Sequence, residues 1–340
     1  MKIGGIDIAE RPFVIAEIGA NHEGDLNVAK VMIAEAARAG ADAVKFQTYE
    51  AEKIVAGTDE TRRAHFKRLS LTGAAWPELA AEARKHSVLF MSTAFDLEAV
   101  DLLDPLMPAF KVASGDLTFT PLLERMATKG KPIILSTGMA SPDEIETALA
   151  AIAAAAGLPR TRVGERVVIL HCVSSYPTAP EEANLSAIGE LRARFPGVPV
   201  GYSDHTLGIF AATAAIAMGA CVLEKHFTLQ KEGRTFRDHQ ISADPKDLAE
   251  LTQNIRTLTT MLGRGGKRLM PSETANRGSM RRSVAARVAI TAGQVIAADQ
   301  LICLRPGGGI PPSRLNDVIG RVAKSDIAAG HLIDPVMVGL

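Results

Sequence analysis

Short apolar runs of β-type recur along most of the chain: Phe13 to Ile18, Ala43 to Phe46, Val88 to Met91, Phe110 to Ala113, Ile133 to Leu135, Val167 to Leu170, Val198 to Gly201 and Val222 to Glu224. Between them the apolar positions shift to helical spacing, as in Leu26, Ala29, Ile33, Ala36 and Ala37, with Gly40 placed to stop the helix. The alanine-rich stretches Ile33 to Ala43 and Ala148 to Gly157 also read as packed helices. Eight strand-helix units in about 260 residues is the count of a (β/α)8 TIM barrel. A doubly wound open sheet is the competing arrangement, but its glycine fingerprint is missing after the first run.

The polar residues carry a second pattern. Nearly every run ends in them: Glu17 and Asn21-His22, Lys45 and Gln47, Ser92-Thr93, Lys111 and Ser114, Ser136-Thr137, His171 and Ser174, Ser203 to His205, Lys225-His226. Scattered surface polarity would fall equally at the amino ends, whereas the carboxyl ends of barrel strands are where catalytic side chains gather. The asymmetry points to an enzyme.

After Leu262 the texture changes. Gly-Arg-Gly-Gly-Lys-Arg (263 to 268), Pro271, Asn276-Arg277-Gly278 and Arg281-Arg282 read as a linker. Short β-type pieces follow, with two similar turns, Thr291-Ala-Gly-Gln and Ala328-Ala-Gly-His, leading into Val295-Ile296 and Leu332-Ile333. The expected organisation is a barrel over 1–262, a linker over 263–282 and a small, mainly β domain over 283–340.

Composition narrows the function. The 38 Lys and Arg balance the 38 Asp and Glu, so nothing global points to nucleic acid or an acidic membrane, and an anionic substrate needs a locally basic pocket. The 3 cysteines are too few and too scattered for a disulfide framework, and Cys172 and Cys221 read as packing residues in strands. The amino-terminal residues show no apolar leader, and no apolar stretch reaches the ~18 residues of a membrane span, so a cytoplasmic protein is expected.

Several constellations bear on chemistry. His205 and His226 each close an apolar run, with one helix's worth of chain between them. Adjacent parallel strands lie ~4.8 Å apart, which brings two strand-end imidazoles within reach of one divalent cation. Spacing alone leaves this reading level with two histidines hydrogen-bonded in a strand-end layer. Lys45 and Gln47 share one strand face, and Lys111 arrives at an equivalent strand end. With Ser92, Thr93, Ser114, Ser136 and Thr137 nearby, the two lysines favour a phosphate or carboxylate cradle over snorkelling at a rim. Glu17 stands in an otherwise apolar run, where an unpaired carboxylate is costly; it is either a salt-bridge partner of Lys45 or a general acid or base. Tyr176-Pro177 and Asp238-His239 are candidates both for polyol contact and for fastening loops.

Five motifs in order resemble the N-acetylneuraminate (sialic acid) synthase family: Ala-Glu-Ile-Gly-Ala-Asn-His-Glu-Gly (16 to 24), Lys-Phe-Gln (45 to 47), Leu-His-Cys-Val-Ser-Ser-Tyr-Pro (170 to 177), Gly-Tyr-Ser-Asp-His-Thr (201 to 206) and Glu-Lys-His-Phe-Thr (224 to 228). The tail, from Arg-Arg-Ser (281 to 283) through Leu-Arg-Pro-Gly-Gly-Gly-Ile (304 to 310), resembles that family's antifreeze-like, or SAF, domain. The resemblance implies condensation of phosphoenolpyruvate with the open-chain aldehyde of an N-acyl mannosamine-type sugar, giving a nine-carbon keto acid and phosphate by C–O cleavage. It implies a divalent cation, Mn2+ or Mg2+, on His205 and His226. Phosphoenolpyruvate would lie on Lys45, Lys111, Ser114, Ser136 and Ser203, with Thr93 and Ser174 as further members; Glu17 and Gln47 would stand beside the reacting carbons. Tyr176 and Asp238 would contact the acceptor sugar, and Arg305 would reach the partner's site in a domain-swapped homodimer.

The chain departs from that pattern in two places. Gly-Arg-Thr-Phe-Arg-Asp-His (233 to 239) replaces a Gly-Pro-Asp-His segment, which makes Arg234 and Arg237 candidates for altering acceptor choice, and Ser174 stands where some relatives have asparagine. Legionaminic or pseudaminic acid synthesis from a 6-deoxy diacetamido hexose is therefore an alternative. Readings of other classes are a carbohydrate- or ice-binding protein with an inert barrel and a Schiff-base aldolase on the same fold.

Overall fold

The computed structural model describes residues 1–263 and 265–340, and these divide into two compact units, Met1–Gly263 and Arg264–Leu340. In the first unit eight parallel strands close into a barrel: β1 (Phe13–Gly19), β2 (Ala43–Thr48), β3 (Leu89–Ala94), β4 (Phe110–Val112), β5 (Ile133–Ser136), β6 (Val167–His171), β7 (Val200–Asp204) and β8 (Val222–His226), with β8 returning to pair with β1. All eight predicted runs are barrel strands. Several continue past the predicted apolar run, β2 to Thr48, β3 through Ser92 and Thr93 to Ala94, β7 to Asp204 and β8 to His226. Hydropathy truncates them where polar residues begin, while the backbone ladder carries on regardless of side-chain polarity.

Strand alternation sorts the side chains into two layers. At the amino end, Phe13, Ile15, Ala43, Met91, Ile134, Val168 and Val222 pack inside the barrel, together with Ile3 and Ile8. An antiparallel hairpin of Lys2–Ile3 with Ile6–Asp7, not foreseen from the pattern, brings Ile3 to this cluster. Residues of opposite parity, such as Val14, Ala16, Val44, Phe46, Tyr202 and Leu223, pack outward against the helices. The helix Leu26–Arg38 illustrates the local logic. The Asp25 carboxylate accepts from the amides of Asn27 and Val28; Ala29, Met32, Ile33 and Ala36 are buried; and Gly40 leaves the helix at a φ of 89°. The helix Pro142–Ala155 opens with a Ser141/Glu144 capping box.

Alternation and strand ends also correct two sequence expectations. Ser92 and Thr137 do not face the barrel mouth: the Ser92 hydroxyl pairs with that of Thr48, and the Thr137 hydroxyl donates to the Leu170 carbonyl. Cys172 and Cys221 flank strands rather than sit in them, one following β6 and the other preceding β8.

In the second unit, β9 (Ser283–Ala286) pairs antiparallel with β10 (Leu301–Leu304). The two similar turns place Gly293 and Gly330 at φ of 84° and 81°, and Ile296 and Ile333 are both buried in this unit's apolar core. Bridges Ala285↔Leu332 and Ile290↔Ile327 tie the two turn-containing pieces into one small β body. The stretch read as a linker carries a helix, Thr274–Met280, and the Gly278 carbonyl accepts from the Gly307 amide at 2.7 Å.

Barrel closure leaves little room at Gly201, where an added Cβ would stand 2.4 Å from the Val222 carbonyl oxygen and 2.5 Å from Leu170 Cδ2. Gly201→Ala is expected to lower stability by about 1–3 kcal/mol, measured by urea unfolding; an unchanged midpoint would show that β7 and β8 relax without cost.

Candidate active site

At the carboxyl end of the barrel the inward-facing positions are polar. Glu17, Lys45, Gln47, Thr93, Lys111, Ser136, Ser203, Glu224, His205 and His226 all line one cavity of about 690 Å³. Each is the last or next inward position above the apolar plug, so strand parity delivers them to one layer.

Two ammonium groups and two carboxylates form the floor. Lys45 Nζ lies 2.7 Å from Glu17 Oε2 and 3.5 Å from Glu224 Oε2, and it donates to Thr93 Oγ1 at 3.0 Å. Lys111 Nζ lies 3.7 Å from Glu224 Oε1 and donates to Ser136 Oγ at 2.7 Å and to the Val112 carbonyl at 3.0 Å. Ser203 Oγ donates to Glu224 Oε1 at 3.0 Å, and Gln47 Nε2 donates to Glu17 Oε1 at 3.1 Å. Glu224 is thus the hub of the cluster, touching both lysines and a hydroxyl. Sequence reasoning gave it no role. Its signal was available: like Glu17, it is a carboxylate inside an apolar run.

The two carboxyls differ in their environment. Burial drives the Glu17 carboxyl up to about 7, only partly offset by Lys45 and reinforced by Glu224. Glu224 is equally buried, but Lys111 and Lys45 together overcome that and hold it below the usual carboxylate range. Lys45 remains charged, because its two carboxylate neighbours outweigh burial. Glu224, beside both lysines, therefore stays ionised, and Glu17 is the carboxyl that takes a proton near neutrality.

Above the floor stand the histidines, their ring centroids 5.5 Å apart. His205 Nδ1 donates to the Val173 carbonyl at 2.7 Å, which leaves Nε2 with its lone pair. His226 Nδ1 is buried without a hydrogen-bond partner among the described residues. Burial, joined at His226 by the neighbouring His205, depresses both imidazoles, so each presents a neutral nitrogen. No group of three or more His, Cys, Asp or Glu suited to a metal occurs among the described residues. A cation here would rest on two protein nitrogens.

The Tyr176 ring lies 4.2 Å from that of His205, tilted by 36°, and the Arg237 guanidinium lies 4.9 Å from the Tyr176 ring centroid. Arg237 and Asp238 both line the cavity, whereas Arg234 turns toward Glu23 at 3.4 Å. Ser114 lines it too; its hydroxyl accepts from the Gly138 amide at 3.1 Å and meets Cys172 Sγ at 3.2 Å. Ser174 does not line the cavity: its buried hydroxyl lies behind, where a Cβ on Gly138 would come within 2.3 Å of it. Arg305 is exposed and belongs to the second unit. The sequence reading also passed over the helix Glu60–Leu69, which presents Arg62, His65, Phe66 and Arg68 to the outer cavity. Residues 62, 65, 66 and 69 follow helical spacing, but a strongly basic segment looks like any solvated helix until the loop after β2 folds it over the mouth.

Comparison with known proteins matches residues 32–267 to the NeuB family and residues 281–339 to the SAF domain. The chain belongs to the NeuB family. It is 44% identical over 331 residues to an uncharacterized protein of Methanocaldococcus jannaschii, spanning 96% of this chain and 95% of that protein. It is 39% identical to an N,N'-diacetyllegionaminic acid synthase of Legionella pneumophila, spanning 94% and 92%. The crystal structure of an N-acetylneuraminic acid (sialic acid) synthetase from Leptospira borgpetersenii superposes with a TM-score of 0.75 at 37% identity, covering 81% of this chain and 94% of that one. NeuB-family membership favours an enzyme over a binding protein with an inert barrel. No helix among the described residues is long and apolar enough to cross a membrane.

The contrast between the two glutamates is testable without substrate. Glu224→Gln leaves two buried ammonium groups short of a counter-charge and is expected to cost about 3 kcal/mol or more at pH 7. Glu17→Gln leaves Lys45 paired with Glu224 and is expected to cost less than about 1 kcal/mol. Equal losses in denaturant unfolding would remove Glu224 as the hub.

Proposed function

We propose that this NeuB-family protein condenses phosphoenolpyruvate with the open-chain aldehyde of an N-acyl mannosamine-type sugar, forming a nonulosonic acid and inorganic phosphate. The observation that carries this reading is the buried floor of Lys45, Lys111 and Glu224 ringed by the hydroxyls of Thr93, Ser136 and Ser203, directly beneath two neutral histidines. With Glu17 protonated, Lys45 and Lys111 face one carboxylate in a desolvated pocket; burial lowers the Lys111 ammonium, and a bound anion would favour its charged form. Such a floor suits a phosphate and a carboxylate borne on one small molecule.

In the reaction, C3 of phosphoenolpyruvate forms the new bond to the aldehyde carbon, and the aldehyde oxygen gains a proton. Water then adds at C2, and phosphate departs with the bridging oxygen as the C2–O bond breaks. Lys45 and Lys111 hold the phosphoenolpyruvate anion, with Ser114 at the cradle's edge and Ser174 backing it through Gly138. Glu17 Oε2, poised near neutrality, delivers the proton to the nascent hydroxyl or takes one from the attacking water, and Gln47 fixes the other carboxyl oxygen. His205 and His226 would hold a Mn2+ or Mg2+ ion, and such an ion would polarise the aldehyde oxygen. Tyr176 and Asp238 orient the acceptor. Arg305 acts on a second copy's cavity in a domain-swapped homodimer; that assignment rests on the resemblance of the tail and on the SAF match around it.

The acceptor has a second reading with its own support. The Legionella relative is named a diacetyllegionaminic acid synthase, and Arg237 over Tyr176 alters the wall where the sugar would lie. A 6-deoxy diacetamido hexose is therefore the alternative, with the pseudaminic precursor a further variant.

Purified protein with phosphoenolpyruvate and Mn2+, offered a panel of N-acyl hexosamines, is expected to release phosphate only when an acceptor is present, with the keto acid identified by mass spectrometry. Undiminished turnover in chelator would dismiss the histidine site. Glu17→Gln is expected to keep phosphoenolpyruvate binding while turnover falls roughly 10²- to 10⁴-fold; an unchanged kcat would take Glu17 out of the mechanism.

A further inference from the structure

An ion pair stands where the barrel's packing calls for apolar side chains. Asp204 and Lys225 are register partners at the ends of β7 and β8, and both side chains are fully buried. Their parity is that of Val200, Tyr202, Leu223 and Phe227, all members of the apolar layer between barrel and helices. They therefore point away from the cavity and line none of it. A buried ion pair in such a layer gives little stability over a well-packed apolar pair of the same volume, because desolvation offsets the attraction.

What the pair does deliver is geometry. Lys225 Nζ donates to Asp204 Oδ2 at 2.9 Å and to the Thr206 carbonyl at 2.6 Å. Asp204 Oδ1 accepts from the Thr206 amide at 2.9 Å, the Thr206 hydroxyl at 2.8 Å and the Tyr202 hydroxyl at 3.2 Å. The residues on both sides of His205 are thereby clamped to the residue immediately before His226. The His205 carbonyl accepts from the Thr178 amide at 2.9 Å and its ring is held by Val173; across the β7–β8 seam the strand ladder reaches as far as Asp204 and Lys225, and the ion pair extends the tie to Thr206.

We propose that Asp204 and Lys225 are positioning residues: from the outer face of the barrel they fix the separation of His205 and His226, and so set the affinity of the two-histidine site for a divalent cation. The inference rests on the metal reading above. It extends to residues that touch neither substrate nor cation.

The test separates positioning from stability. In the full-length protein, the paired substitution Asp204→Leu with Lys225→Met replaces the ion pair by apolar groups of similar volume. Its thermal midpoint is expected to fall, because the Tyr202 hydroxyl and the Thr206 amide, hydroxyl and carbonyl lose their partners, so its Mn2+ affinity is read at a temperature where circular dichroism shows the variant folded. Its affinity for Mn2+, titrated without substrates by the electron paramagnetic resonance of free Mn2+, is expected to fall about 10- to 100-fold. In turnover the Mn2+ concentration for half-maximal rate should rise by the same factor, with kcat at saturating Mn2+ little changed. Lys225→Arg, which keeps the charge, should restore most of the affinity and guards against a paired variant that fails to fold. A folded paired variant with unaltered Mn2+ affinity would overturn the proposal while leaving the metal site standing. Mn2+ binding that survives His226→Ala, or is lacking in the unsubstituted protein, would overturn both.

Discussion

Closing eight parallel strands into a barrel sends every second side chain into an interior with no exit except the two ends, and the rest of the structure answers to that constraint. At the amino end the interior is filled with Phe13, Ile15, Met91, Ile134 and Val222 and covered by Ile3 and Ile8. At the carboxyl end the same strands offer Glu17, Lys45, Thr93, Lys111, Ser136, Ser203 and Glu224. Charged groups so deeply buried persist only by satisfying one another, and the near-balance of two lysines with two glutamates is how this floor does so.

That balance also makes the floor responsive. Glu224, bridging two ammonium groups, is committed to its charge, whereas Glu17 shares Lys45 with it and takes a proton more readily. Two carboxyls of one chemistry thus acquire different tasks from their neighbours alone. The neutral histidines stand above them; in the proposed reaction the floor would take the anion and the histidines the cation. The Asp204–Lys225 pair belongs to the same scheme seen from outside, where charge is used in the apolar layer to hold the wall's shape.

Much of this was legible in the residues. The eight runs located the strands, and the concentration of polar residues at one end of each located the face that carries the site. The pairing of Glu17 with Lys45 followed from the cost of a lone buried carboxylate. What periodicity misjudged was the facing of particular residues. Ser92 and Thr137 stood among the strand-end hydroxyls expected in the cradle, yet their parity and backbone partners turn them outward. Ser174 is drawn behind Gly138 instead of into the cavity. Glu224 was passed over because its meaning depends on Lys45, Lys111 and Ser203, which approach it from three other strands.

By itself the sequence determined the elements, their order and the chemical inventory, because strand and helix periods and the cost of burying polar groups are local properties of the chain. It also determined membership of the NeuB family, since ordered motifs survive where overall identity falls. The tertiary structure alone decided which polar groups meet: that Glu224 is the hub, that the helix Glu60–Leu69 brings Arg62, His65 and Arg68 to the mouth, and that Asp204 and Lys225 face away from it. Those outcomes depend on barrel closure and strand register, which bring residues far apart in sequence within a few ångströms, and no local pattern encodes such distances.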